Sequence, residues 1–129
     1  MENGKFILLI AEDEAASRFL YQEELAEEGY EVLTAENGLQ ALGILEDRHV
    51  DLLMTDIKMP DMHAMELIPR VRVEHADLPI IVASAFKGME DDFTLKEANV
   101  SAFFAKPVNM DALKIQVKYL LEARAVPAA

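Results

Sequence analysis

The sequence predicts a doubly wound α/β fold, a parallel sheet covered by helices on both faces, and three observations carry the prediction. Short apolar runs recur five times, and each is followed by a segment with helical periodicity. The runs are apolar nearly throughout, as strands buried on both faces are. No repeat or low-complexity linker interrupts the alternation, so the connections read as right-handed strand–helix–strand crossovers.

The first run is Lys5 to Ala11, KFILLIA. Glu14 to Glu28 follows as a helix, with Ala16, Leu20, Tyr21 and Leu25 on its inner face and acids on the other, and Gly29 stops it. Tyr30 to Ala35 (YEVLTA) is rich in strand formers. Asn37-Gly38 opens a segment whose stripe is Ala41, Leu42 and Leu45, running to Arg48. The third strand is Asp51 to Asp56, followed by Ile57-Lys58-Met59-Pro60; the residue before a proline is pushed extended, so the chain leaves the sheet there. Met62 to about Glu74 reads as a helix that Pro69 should kink or shorten by removing a hydrogen bond. Leu78 to Ser84 (LPIIVAS) is the fourth strand, Met89 to Ala98 a short, weakly amphipathic helix, and Ser101 to Ala105 the fifth strand. Asn109 to about Arg124 is the last helix, with Leu113, Val117, Leu120 and Leu121 inward, and Val126 to Ala129 reads as a frayed tail.

Length and composition bound the function. At 129 residues the chain is expected to be one domain, 1–129, with a core of about 5–124 and a short tail over 125–129. Cysteine is absent, which removes disulfides and thiolate metal sites. Nothing near Met1 resembles a signal sequence, and no apolar stretch approaches a membrane span, so the expected location is cytoplasmic. With 24 Asp+Glu against 12 Lys+Arg, the net charge of −12 argues against direct binding to nucleic acid or an anionic membrane. Cationic ligands and basic partner surfaces suit it better.

In an open parallel sheet, ligands bind at the carboxyl edge. Strands one, three, four and five deliver Glu12-Asp13, Asp56, Ser84 and Lys106-Pro107 to that edge. Each has a plainer reading alone: Glu12, Asp13 and Glu14 as helix-start acids, Asp56 as a loop acid, Ser84 as a strand-end hydroxyl, Lys106 as a solvated cation. Together they demand more, because two or three neighbouring carboxylates repel by roughly 1 to 4 kcal/mol per pair. A divalent cation with hard oxygen ligands compensates that charge. Mg²⁺ takes one or two carboxylates, keeps its waters and leaves a place for a phosphoryl oxygen.

Over nearly its whole length the chain resembles a response-regulator receiver domain (CheY-like) of two-component signalling. The resemblance rests on Glu12-Asp13, the Asp56-Ile57-Lys58-Met59-Pro60 run, Ser84-Ala85 and Lys106-Pro107, each after the expected strand, with Glu28-Gly29-Tyr30 and Asn37-Gly38-Leu39-Gln40-Ala41-Leu42 in support. It implies a five-stranded parallel sheet of order 2-1-3-4-5. It implies that Asp56 accepts a phosphoryl group, that Glu12, Asp13, Asp56 and the Lys58 carbonyl hold Mg²⁺ (or Mn²⁺), and that Ser84 and Lys106 bind the phosphoryl oxygens. Ser84 and Phe103 are then the switch pair, Lys106-Pro107 a candidate cis peptide, and Lys58 and Phe86 the residues flanking water access, neither able to orient water as an acid or amide would. The implied donor is a phosphohistidine on a sensor histidine kinase or histidine phosphotransferase. The implied output is a downstream protein bound by the fourth helix, fifth strand and fifth helix, with a homodimer as a further partner. Such a module is not an enzyme in the ordinary sense: it promotes its own phosphorylation and slow dephosphorylation.

Four departures stand out. Ala64 and Asn99 occupy positions where the family commonly has glycine, Glu12 replaces the commoner aspartate and lengthens one metal ligand, and Pro69 has no functional account. His49, His63 and His75 lie scattered, so none is an obvious internal donor. Rival readings fit less well. An aspartyl-phosphate hydrolase wants an acid two residues beyond Asp56, where Lys58 stands. A degenerate, non-phosphorylated receiver used as a protein-interaction module would lack the acceptor or the lysine. A flavodoxin-type cofactor binder needs a hydroxyl- or glycine-rich phosphate loop where this chain has Ala11-Glu12-Asp13-Glu14. Either a stand-alone regulator or a domain of a longer protein is compatible with the sequence.

Overall fold

Strands apolar along their whole length need cover on both faces, and the computed structural model, which describes residues 1–85 and 99–125, supplies it. β1 (Ile7–Ala11) and β4 (Ile80–Ser84) are buried throughout, and β3 (Leu52–Asp56) is buried up to its final residue. β2 (Glu31–Ala35) and β5 (Ala102–Ala105) are the partly exposed edges. All pair in parallel in the order β2-β1-β3-β4-β5. The described helices are α1 (Ala15–Ala26), α2 (Gly38–Asp47), α3 (Ala64–Glu74) and α4 (Met110–Ala125). The predicted helix at 89–98 and the predicted tail at 126–129 lie outside the described residues, as does Phe86.

Side chains alternate across a strand, so one sheet makes two cores. Ile7, Leu9, Leu53, Ile80 and Val82 point to α2 and α3, meeting Ala41, Leu45, Leu67, Ile68 and Val71. Leu8, Ile10, Leu52, Met54 and Ile81 point the other way, to Tyr21 and Leu25 of α1 and Leu113, Val117 and Leu121 of α4.

Local chemistry sets the boundaries. Asn37 caps α2, its Oδ1 accepting from the Gln40 amide at 2.8 Å, while Gln40 Oε1 accepts from the Glu36 amide at 2.8 Å. Gly29 turns the chain after α1 with φ +94°, and Asn99 adopts φ +57°, a left-handed conformation that asparagine tolerates better than most residues. Arg72 donates to the carbonyls of His75 (2.9 Å), Leu78 (2.7 Å) and Asn99 (2.9 Å), tying α3 to the approaches of β4 and β5.

Three expectations are corrected. On α1 only Tyr21 and Leu25 are buried; Ala16 is exposed and Leu20 is 46% exposed, because the inner stripe is one i, i+4 pair wide and Leu20 borders an open groove beside Lys106. Leu42 and Leu120, by contrast, face inward as expected, half-buried and packed against their cores. α3 starts at Ala64 rather than Met62, since Asp61 (φ +69°) and the Met62 amide, bonded back to the Pro60 carbonyl at 2.8 Å, form a tight turn before it. The helix runs through Pro69 to Glu74 and is not shortened there; Pro69 lies on its exposed face.

Candidate functional site

The pairing Ala11↔Thr55, Asp56↔Ala83 and Ser84↔Ala105 ends four strands at one level, so the residues at and just beyond their carboxyl ends meet. Glu12, directly after β1, is only 2% exposed. Its amide donates to the Ala35 carbonyl at 3.0 Å, continuing the β1–β2 ladder by one residue and fixing its backbone. Asp56 closes β3, Ser84 closes β4 and is buried, and Lys106 follows β5 with its amide on the Ser84 carbonyl at 2.8 Å. The Lys106-Pro107 bond is cis.

Lys106 joins the two sides of the site. Its ammonium donates to Glu12 Oε1 at 2.5 Å and to Asp56 Oδ2 at 2.9 Å. The other Asp56 oxygen, Oδ1, accepts from the Ile57 amide at 2.7 Å. Glu12, Asp13 and Asp56 each present a carboxylate oxygen, all within 4.8 Å of one another, and Asp13 is the exposed member. One ammonium among three carboxylates leaves a negative excess. Burial raises the Glu12 carboxyl from its ordinary 4.5 to about 7, with Asp56 adding to the rise and the Lys106 bond opposing it. Burial would lower Lys106, but its bonds to Glu12 and Asp56 prevail and hold it above the ordinary lysine value. The donor set is all oxygen and Lys106 offsets only part of its charge, which fits a hard divalent cation.

The other residues singled out in the sequence fall around this centre. Lys58 is exposed, two residues beyond Asp56. Phe103, in register with Val82, is half-buried against the core beneath α2 and α3 rather than in the cluster. His49 and His63 are exposed and His75 half-buried.

Two contributors have no sequence signal. Arg18 on α1 donates to the carbonyls of Glu12 (2.9 Å) and Asp13 (3.3 Å), clasping the acid loop from behind. Thr55, buried one residue before the acid, gives its hydroxyl to the Asp56 carbonyl at 2.9 Å. Both act on backbone, and backbone partners leave no spacing pattern to read. Beside Lys106 opens a groove of about 370 Å³ lined by Leu20, Tyr21, Pro107 and Val108, with Glu14 and Ser17 at its polar side.

Comparison with known proteins agrees with this geometry. A family model described as the response regulator receiver domain matches residues 8–118. Sporulation initiation phosphotransferase F of Bacillus subtilis is 33% identical over 114 residues, 88% of this chain and 92% of that protein. The sensor histidine kinase RcsC of Escherichia coli is 30% identical over 113 residues, but this chain spans only 12% of its length. Among solved structures, the response regulator TrrA of Thermotoga maritima, in complex with Mg²⁺-BeF, is 38% identical with a TM-score of 0.81, covering 90% of this chain and 98% of that one. The chemotaxis response regulator CheY4 of Vibrio cholerae, 24% identical with a TM-score of 0.84 over 90% of this chain and 98% of its own, shares the fold. With matching strand order, a matching edge cluster and a family model spanning most of its length, this chain belongs to the response regulator receiver domain family of two-component phosphorelay systems.

Proposed function

We propose that this chain, as a single receiver domain over 1–129, takes a phosphoryl group onto Asp56 from a phosphohistidine of a sensor histidine kinase or histidine phosphotransferase. The observation that carries the proposal is the Lys106 ammonium bonded to both Glu12 and Asp56, with Asp13 alongside, at the carboxyl edge. In the reaction, an Asp56 carboxylate oxygen forms a bond to phosphorus while the bond from phosphorus to the donor imidazole nitrogen breaks, and that nitrogen keeps the electron pair. Attack of an anion on an anionic group proceeds only where positive charge and alignment offset the repulsion.

This chain's own residues supply both. The Ile57 amide holds one Asp56 oxygen and so fixes which way the carboxylate faces. Lys106, already within reach of Asp56, moves its donors to the phosphoryl oxygens, and the Ser84 hydroxyl takes another. Glu12, Asp13, Asp56 and the Lys58 carbonyl are the residues that would hold Mg²⁺ or Mn²⁺, and a bound cation would neutralise phosphoryl charge. The half-buried Phe103 follows Ser84 as the switch, changing the face built from the fourth helix predicted by sequence, β5 and α4, which binds the downstream protein.

The test is intact-mass spectrometry after incubation with Mg²⁺ and a small acyl phosphate. One phosphoryl mass is expected on the parent and none on Asp56→Asn; full labelling of that variant would overturn the assignment.

A further inference from the structure

The loop that follows the acceptor leans on a position with no side chain. Gly38, buried as the first residue of α2, faces Met62: a methyl group there would stand 2.7 Å from Met62 Cβ, 2.8 Å from its carbonyl oxygen and 3.0 Å from its Cγ. Two of those atoms are set by the backbone, so no rotamer change of Met62 relieves the clash. Gly38 has no left-handed φ to explain its presence, so what glycine supplies here is space. The helix cannot readily retreat, because Asn37 caps it and Ala41 and Leu45 are packed in the core. The facing segment from Ile57 to His63 is anchored in the same core by Ile57, Met59 and Met62 while Lys58, Pro60, Asp61 and His63 are exposed, so it is the side with a solvent-facing backbone along which a shift can spread.

That segment is a closed loop. The Ala64 amide returns to the Ile57 carbonyl at 2.9 Å, the Met62 amide to Pro60 at 2.8 Å, and Ile57 in turn donates its amide to Asp56 Oδ1 at 2.7 Å. A push at Met62 therefore reaches Ile57, the donor that orients the acceptor carboxylate, along the chain to Ala64 and across the one backbone bond between Ala64 and Ile57. We propose that Gly38 is a positioning residue for Asp56: its missing Cβ lets the 57–63 loop close against α2, and that closure sets where the Ile57 amide aims the carboxylate. The inference rests on Asp56 being the acceptor for its functional consequence, but not for its structural one.

Gly43 provides the control. It lies in the same helix, and a methyl added there meets nothing within 4 Å. Gly38→Ala is expected to move the Ile57 amide resonance in a ¹⁵N–¹H spectrum and to slow labelling by an acyl phosphate about tenfold or more, since small misplacements of reacting groups carry large rate penalties. Gly43→Ala is expected to leave both unchanged while raising the melting temperature, as alanine favours helix over glycine. Gly38→Ala with a lowered melting temperature, but with the parent's Ile57 resonance and labelling rate, would make Gly38 a packing residue only and overturn the proposal. If Gly38→Ala does not fold, the double variant Gly38→Ala with Met62→Gly removes the Cβ and Cγ contacts but keeps the one to the residue-62 carbonyl at 2.8 Å, and a parent-like resonance and rate in that variant would overturn the proposal equally. Should the parent itself fail to label, the acceptor assignment falls while the Ile57 resonance still decides the structural half.

Discussion

Replacing Asp13 with asparagine should stabilise the metal-free protein. Its carboxylate oxygen lies within 4.8 Å of those of Glu12 and Asp56. At that distance two unit charges repel by about 3.5 kcal/mol at an effective dielectric of 20 and about 0.9 kcal/mol in water. Asp13 is exposed, and Lys106 offsets part of its neighbours' charge, so the lower end applies. A gain of about 1 kcal/mol raises the melting temperature of a domain this size by about 3 to 5 °C. The assay is thermal unfolding by circular dichroism in EDTA at pH 8, where Glu12 is ionised, with Glu23→Gln as an equally charged change on an exposed helical position. Mg²⁺ is then added. A ligand of the folded state at one hundred times its Kd adds about 2.7 kcal/mol, and the parent should show such a rise where Asp13→Asn shows little. Asp13→Asn melting at or below the parent in EDTA, or gaining as much from Mg²⁺ as the parent does, would refute the reasoning that repulsion at this edge is what a cation relieves.

Other measurements probe neighbouring claims. Because the folded-state pKa of Glu12 is raised from 4.5 to about 7, its contribution to stability is fully present below pH 4.5 and lost as pH rises through about 7; melting curves in EDTA should decline over that window by up to about 3 kcal/mol, and Glu12→Gln should abolish the decline. Asp51 has the opposite sign: burial opposes its ionisation, but the Ile7 amide (2.8 Å) and then the N-terminal amine and His49 (2.7 Å) hold its carboxyl below 3.8, so Asp51→Asn should cost about 1 to 3 kcal/mol at pH 7 and the gap to the parent should close as pH falls below 3.8. If Lys58 and Phe86 limit water access, the phosphorylated protein should decay slowly after donor removal and faster in Lys58→Asn and Phe86→Glu; equal decay in all three would remove both residues from that role.

Legibility in the sequence followed the kind of partner each residue has. Strands were readable because burial on both faces writes an unbroken apolar run such as Leu52 to Met54, and the end of a run such as Asp56 marks the sheet edge without further information. The clustered side chains were readable for the same reason, since Glu12, Asp13, Asp56 and Lys106 each sit at a strand end or within two residues of one. Helix faces were read less well at their margins: periodicity places Leu20 on the inner side of α1 but does not say that an open groove lies beside it at that turn. Residues that serve backbone atoms were invisible. Arg18, Thr55 and Arg72 bond to carbonyls whose positions exist only after folding, and Gly38 is explained by a contact with Met62, 24 positions away, that no local pattern announces.

The bond between Lys106 and Glu12 spans 94 positions of chain, and that separation has a meaning for a ribosome. At about 5 to 20 residues per second, the acids of the first strand wait roughly 5 to 20 seconds for the lysine that pairs with them to be made. During that interval a nascent chain holding β1 and β3 carries the carboxylates without the Lys106 ammonium that bonds two of them in the folded domain, and sheet growth must tolerate their charge in other ways. Completion of the acidic edge therefore belongs to the last stage of synthesis, when β5 docks beside β4. A chain truncated before residue 102 would hold Asp56 and its neighbouring acids without the strand that delivers Lys106.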